Sequence, residues 1–144
     1  MTQTNTKSRA EEILFPKEHI YIPLLGNKYV TLTVEKLHQL IAEKIVEGDS
    51  AYNYQPTLQD FLDFSNALIN FLNNDADLQL EFFGFVGFQL NQIQLGIHSF
   101  ELRHKEKLNI ESAVDILPIA SKFVCQHRAD EFTLKENLFS AWWD

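Results

Sequence analysis

The sequence predicts an α+β fold: an antiparallel sheet of about four strands, in the chain order β-β-α-α-β-β-α-α, with helices packed on one face. Three observations predict it. Apolar residues recur at helical spacing in two long stretches before residue 73. They alternate, as in a half-buried strand, from Leu78 to Ile97. And 144 residues, 45% hydrophobic and 22% charged, are enough for one domain that buries its own core without a disulfide or a structural metal. Residues 1–17 are polar, then charged, which predicts a loose N-terminal tail ahead of a single domain over 18–144. Ile13, Leu14 and Phe15, just before Pro16, are where that tail should dock.

His19 to Leu25 is β-branched and aromatic, Gly26-Asn27 follows, and Lys28 to Leu32 is again strand-like. This predicts a hairpin in which Gly26 supplies a positive φ. Pro23 has no N–H and places that hairpin at a sheet edge. Thr33 is the expected N-cap of the next helix, whose stripe is Val34, Leu37, Leu40, Ile41 and Ile45 and which Gly48 should end. Thr57-Leu58-Gln59-Asp60 reads as a capping box with Asp in place of Glu. It opens a second helix with Leu58, Phe61, Leu62, Leu68, Ile69 and Leu72 on one face.

From Leu78 to Leu90 the even-numbered residues are apolar throughout, while the odd-numbered ones are apolar only at Phe83 and Phe85. Ile93, Leu95 and Ile97 then alternate with Gln92, Gln94 and Gly96. A two-residue turn at Asn91-Gln92 would set Leu90 against Ile93, Phe88 against Leu95 and Val86 against Ile97. The same register faces Gly87 with Gly96 and leaves a notch on the second face beside Phe85, Gln89, Gln94 and His98. The alternation slips by one at His98-Ser99, since Phe100 and Leu102 are even-numbered, which predicts a bulge there. Asn109 begins another helical stretch with Ala113, Val114, Leu117, Ala120 and Val124 on its stripe and Pro118 in the middle, a point where it should kink or split. Thr133-Leu134-Lys135-Glu136 reads as a capping box for a last short helix ending in Trp142 and Trp143.

Composition narrows function by exclusion. A net charge of −8 argues against binding a phosphate backbone, which needs a basic footprint. The N-terminus lacks the apolar run of a secretory signal, and no stretch approaches ~18 apolar residues, so a cytoplasmic protein without a membrane span is expected. The single Cys125 is expected to be a reduced, buried thiol. The histidines lack the spacing of a helical zinc motif, and no phosphate-binding loop or Ser-His-Asp signature is present; no cofactor or metal is expected. Three function classes remain. The first is an acidic protein that binds a protein partner, basic if charge decides, as an inhibitor, immunity-type protein or adaptor. Trp142 and Trp143 are its candidate contact residues, since two adjacent tryptophans cannot both enter one core. A second copy of the chain is an allowed partner. The second class is a pocket protein holding a small molecule near Phe83, Phe85, Gly87, Gly96 and His98. The third is a small enzyme using Glu81 and His98 as an acid–base pair.

Overall fold

The computed structural model describes residues 3–18, 20–49 and 55–143. Its elements run α1 (Gln3–Leu14), β1 (Asn27–Thr33), α2 (Val34–Ala42), β2 (Val46–Asp49), α3 (Leu58–Asn74), β3 (Leu78–Gln89), β4 (Gln92–His104), α4 (Ile110–Gln126), β5 (Glu131–Lys135) and β6 (Leu138–Trp142). The class is the α+β fold expected, with helices packed on a largely antiparallel sheet. The element order differs. The sheet path is β1-β3-β4-β6-β5, with the β3–β4 hairpin at its centre. Short β2 joins β4 in parallel at Ile93 and Leu95, while β6 joins it antiparallel over Ser99 to Arg103. One edge of β4 is therefore shared end to end by two strands. At the junction, Gln55 donates to the Ile97 carbonyl at 2.7 Å and the Trp143 N–H donates to the His98 carbonyl at 2.7 Å.

The segment expected to be a loose tail is helical over α1, and Ala10, Ile13 and Leu14 are buried in the common core. Polar contacts fix it. Arg9 places its fork on the Glu43 carboxylate at 3.0 and 3.1 Å, and Lys36 donates to the Leu14 carbonyl. Glu11 accepts the Ile22 N–H, and residues 20–25 form no strand, so they are not the first arm of a hairpin. The expected partner of β1 was that arm, whose His19 lies outside the described residues. β1 instead pairs with β3, Tyr29 against Phe85 and Leu32 against Phe82. An arm containing Pro23 offers a broken ladder, whereas β3 offers a full one.

Thr33 caps α2 and the Thr57–Asp60 box caps α3, both as predicted. The stop of α2 comes six residues earlier than Gly48, because no glycine is needed for it. Lys44 takes the left-handed conformation (φ 54°), its N–H bonds to Ile41, and the Ile45 N–H bonds to Leu40. That is a Schellman motif, and Leu40 and Ile45 are both buried in the core. Arg128 (φ 51°) closes α4 the same way, with Ala129 bonding to Val124. Pro118 neither splits nor ends α4. It lies on the exposed side, where water can serve the carbonyl that loses its partner. The expected last helix is a hairpin, β5–β6, with Lys135 opposite Leu138. Its alternation is plain in hindsight: Phe139, Ala141 and Trp143 are buried, while Trp142 between the last two is 42% exposed.

The central hairpin turns at Leu90-Asn91, not Asn91-Gln92. Both residues have positive φ (52° and 64°), as a type I′ turn requires. The register is thus two residues from the expected one: Phe88 faces Ile93, Val86 faces Leu95, and Gly87 faces Gln94 rather than Gly96. A shift of two preserves the face of every side chain, so the apolar side remains the core side. The bulge occurs where predicted, with Phe83 against Ser99, Gly84 against Ile97 and His98 left over. Far from the turn, Phe82 opposite Phe100 and Leu80 opposite Leu102 anchor the ribbon in the core; with one bulged residue counted, the turn then falls on Leu90-Asn91.

All four helices and the inner sheet face contribute to one hydrophobic core. Its centre is aromatic. Phe64 stacks on Phe123 at 4.3 Å, Phe61 meets Phe82 and Trp143 edge-on, and the Trp143 indole N–H donates to the His127 carbonyl at 2.9 Å.

Two predictions follow from the backbone. A Cβ on Gly84 would overlap the Gly96 carbonyl oxygen, so Gly84→Ala should lower stability by about 2–3 kcal/mol in denaturant titration. Lys44→Gly relieves a left-handed backbone at an exposed helix end and should raise stability by about 0.5–1 kcal/mol in the same assay.

Candidate functional site

Strand register arranges the outer sheet face, the one away from the helices, in rows across the sheet. Thr31, Phe83, Ser99, Trp142 and Glu131 are opposed in turn along one row. Thr33, Glu81, Glu101, Ser140 and Thr133 make the next. Tyr29 and Phe85 lie on the other side of the first row, with the bulged His98 beside them. Aromatic rings thus gather in and beside the first row, which Glu131 ends, while Glu81 and Glu101 adjoin them in the second.

The rings form a touching cluster. Tyr29 stacks with Phe83 at 6.4 Å and meets Phe85 edge-on at 5.6 Å; His98 lies 4.3 Å from Trp142 and 5.4 Å from Phe85, centroid to centroid. Tyr29, Phe85 and Trp142 are each about half exposed, an unusual amount of aromatic surface to leave in water. A cavity of about 270 Å³ on this face is lined by the rings of Tyr29, Phe83 and Trp142 and by Glu101, Glu131 and Thr133, with Glu131 directly opposite Trp142. Burial, followed by the Glu101 carboxylate, raises the Tyr29 phenol above its ordinary pKa. Glu101 also holds Arg103 at 2.8 Å, an exposed pair of small energetic weight.

His98 is the one ring nitrogen pair here without a hydrogen bond: both nitrogens are buried among the rings and unpartnered. Burial lowers its pKa, so the imidazole is neutral at pH 7 and acts as a fifth ring beside Tyr29, Phe83, Phe85 and Trp142. It follows that Glu81 and His98 make no hydrogen bond to each other. Glu81 sits between Thr33 and Glu101, two strand positions beyond Phe83. Of the predicted site residues, Phe83, Phe85, His98 and Trp142 are brought together on this face. Trp143 is not; it is 2% exposed and belongs to the core. Gly87 and Gly96 do not face each other, so the predicted notch does not form. Gly87 instead packs beneath Asn27, and Gly96 lends its carbonyl to the close approach at Gly84. Cys125 is exposed, not buried as expected. Tyr29, Glu101 and Glu131 were missed, and only strand pairing could have assembled them.

A second cluster joins the α3–β3 connection to the end of β4. Among the described residues, Asp75, Asp77 and His104 bring three metal-ligand atoms within 4.8 Å of one another. Their bonds account for the arrangement without an ion. His104 Nε2 lies 2.9 Å from an Asp75 carboxylate oxygen, and the other Asp75 oxygen accepts the Asp77 N–H. Nδ1 meets both the N–H and the carbonyl of Glu106, so it has a partner in either protonation state. No helix among the described residues is long and apolar enough to cross a membrane. Comparison with family models, with curated proteins and with solved structures finds no match to the chain.

The Asp75–His104 contact should be visible in stability against pH. Burial alone would lower the His104 pKa, but the Asp75 and Glu106 bonds outweigh it and leave it raised; the Asp77 N–H, then His104, lower that of Asp75. A raised histidine stabilises below its ordinary value near 6.5 and loses that contribution as pH climbs through the raised value. A lowered aspartate stabilises above its ordinary value near 3.8 and loses its contribution as pH falls through the lowered one. The pair therefore contributes most between these two ordinary values. Asp75→Asn should flatten the pH profile of the midpoint temperature across that window and lower the His104 pKa measured by NMR.

Proposed function

We propose that this protein is a non-covalent binder of a basic protein partner, acting by occlusion as an inhibitor or immunity-type protein or as an adaptor, through the outer sheet face. The observation that carries the reading is the cavity lined by exposed aromatic rings and carboxylates. Tyr29, Phe83 and Trp142 offer ring faces, and Glu101 and Glu131, the latter paired across the strands with Trp142, offer charge. An arginine or lysine side chain satisfies rings and carboxylates at once, by cation–π contact and by ion pairing. The net charge of −8 adds long-range attraction for a basic surface, which speeds encounter. A half-exposed tryptophan at the rim is the residue type that dominates interface energetics. Catalysis has less support here, because the only imidazole at the site is neutral and without a hydrogen-bond partner to take or give its proton.

The test uses a hexa-arginine peptide as probe, followed by calorimetry and tryptophan emission. Saturable binding should weaken by at least about tenfold between 50 and 300 mM salt, since exposed charges are screened. Glu101→Gln with Glu131→Gln should cost about tenfold in affinity, and Trp142→Ala a similar amount by calorimetry. A charge-matched control, Glu35→Gln with Glu111→Gln on the helices, should change it little. Equal losses in the two double variants would reduce the binding to bulk charge and sink the reading.

A further inference from the structure

β5 is the last strand of the sheet path. Among the described residues no strand pairs beyond it, and all five of its residues are exposed. Proteins usually protect such an edge with charges that obstruct a docking strand. The charges of β5 obstruct most strands but fit one: a second copy of itself. Antiparallel pairing of two β5 strands about Thr133 sets Glu131 opposite the other copy's Lys135 and Phe132 opposite its Leu134, and two-fold symmetry repeats both pairs. Each end of the seam gains an opposite-charge pair. Phe132 and Leu134, 59% and 53% exposed, meet on the face where Phe132 already stacks on Phe139. Sliding the register by one residue would put outward side chains opposite inward ones, and sliding by two loses both ion pairs. The opposite edge has no such fit: self-pairing of β1 about Val30 would set Lys28 against Leu32.

We infer that the chain forms a two-fold dimer through β5, joining two sheets into one continuous sheet. The partner is a second copy, identified by charge and apolar complementarity in a single register. The inference rests on different observations from the binding reading above, although Glu131, Phe132 and Thr133 lie in both places. Lys135 does not line the cavity, so the two can be tested apart.

The experiment is sedimentation equilibrium of the full chain at low salt, from about 10 μM to about 1 mM. The wild type should show a concentration-dependent monomer–dimer equilibrium. Glu131→Lys alone and Lys135→Glu alone should each weaken self-association at least about tenfold, because each sets like charges opposite one another twice. A one-to-one mixture of the two variants should recover dimers, and the double swap should dimerise like wild type. All the positions are exposed, and circular dichroism checks that each variant is folded. In a Cys125→Ser background, Thr133→Cys should cross-link on mild oxidation while Glu131→Cys should not, which reads the register directly. A wild type that stays monomeric across the range overturns the proposal. So does a mixture that fails to recover association, or equal cross-linking at both positions.

Discussion

One additional residue in β4 organises this molecule. Toward the turn, the inward residues of β4 are Ile93, Leu95 and Ile97; beyond it they are Phe100 and Leu102. These two runs have opposite parity and could not both face the core from an unbroken strand. Bulging out His98 lets them do so. The same irregularity brings the Gly84 backbone against the Gly96 carbonyl, a closeness that only a missing side chain permits. It also marks where β2 gives way to β6 along one edge, with Gln55 and Trp143 bonding to the two carbonyls at the break. The imidazole, displaced from the ladder, comes to rest among Tyr29, Phe85 and Trp142 on the far face.

The two faces of the sheet are therefore coupled through adjacent residues. Trp143 ends inside, edge-on to Phe61, with its indole N–H on the His127 carbonyl. Trp142, its neighbour, necessarily points the other way and completes the outer ring cluster. Core packing at the end of β6 thereby holds the surface aromatic in position, which limits the conformational entropy a partner must remove on binding. Charge on that face is organised by the same rows. Glu81, Glu101 and Glu131 project outward because the residues alternating with them are committed to the core or to the β5–β6 margin.

Much of this was legible in the chain itself. The apolar alternation of residues 78–97, the bulge at His98-Ser99, the Thr33 cap and the Thr57–Asp60 box are local patterns with local causes: side-chain period, and a side-chain oxygen meeting free N–H groups. So was the clustering of Phe83, Phe85 and His98 on one face. Helix ends at Lys44 and Arg128 were not legible, because a left-handed residue that is not glycine has no strong sequence signature. The capping-box pattern at Thr133 was misleading, since the same letters fit a strand when Phe139, Ala141 and Trp143 have a core to enter.

What the sequence determined by itself was the class of fold, the face of each central strand that is oily, and an acidic surface. Tertiary structure alone decided which strands became neighbours: β1 against β3 rather than against the Pro23 segment, and β2 and β6 along one edge of β4. The reason is range. Periodicity and capping act within a few residues, whereas strand partners are chosen by how well distant apolar surfaces fill one core, and the site on the outer face is assembled only after that choice is made.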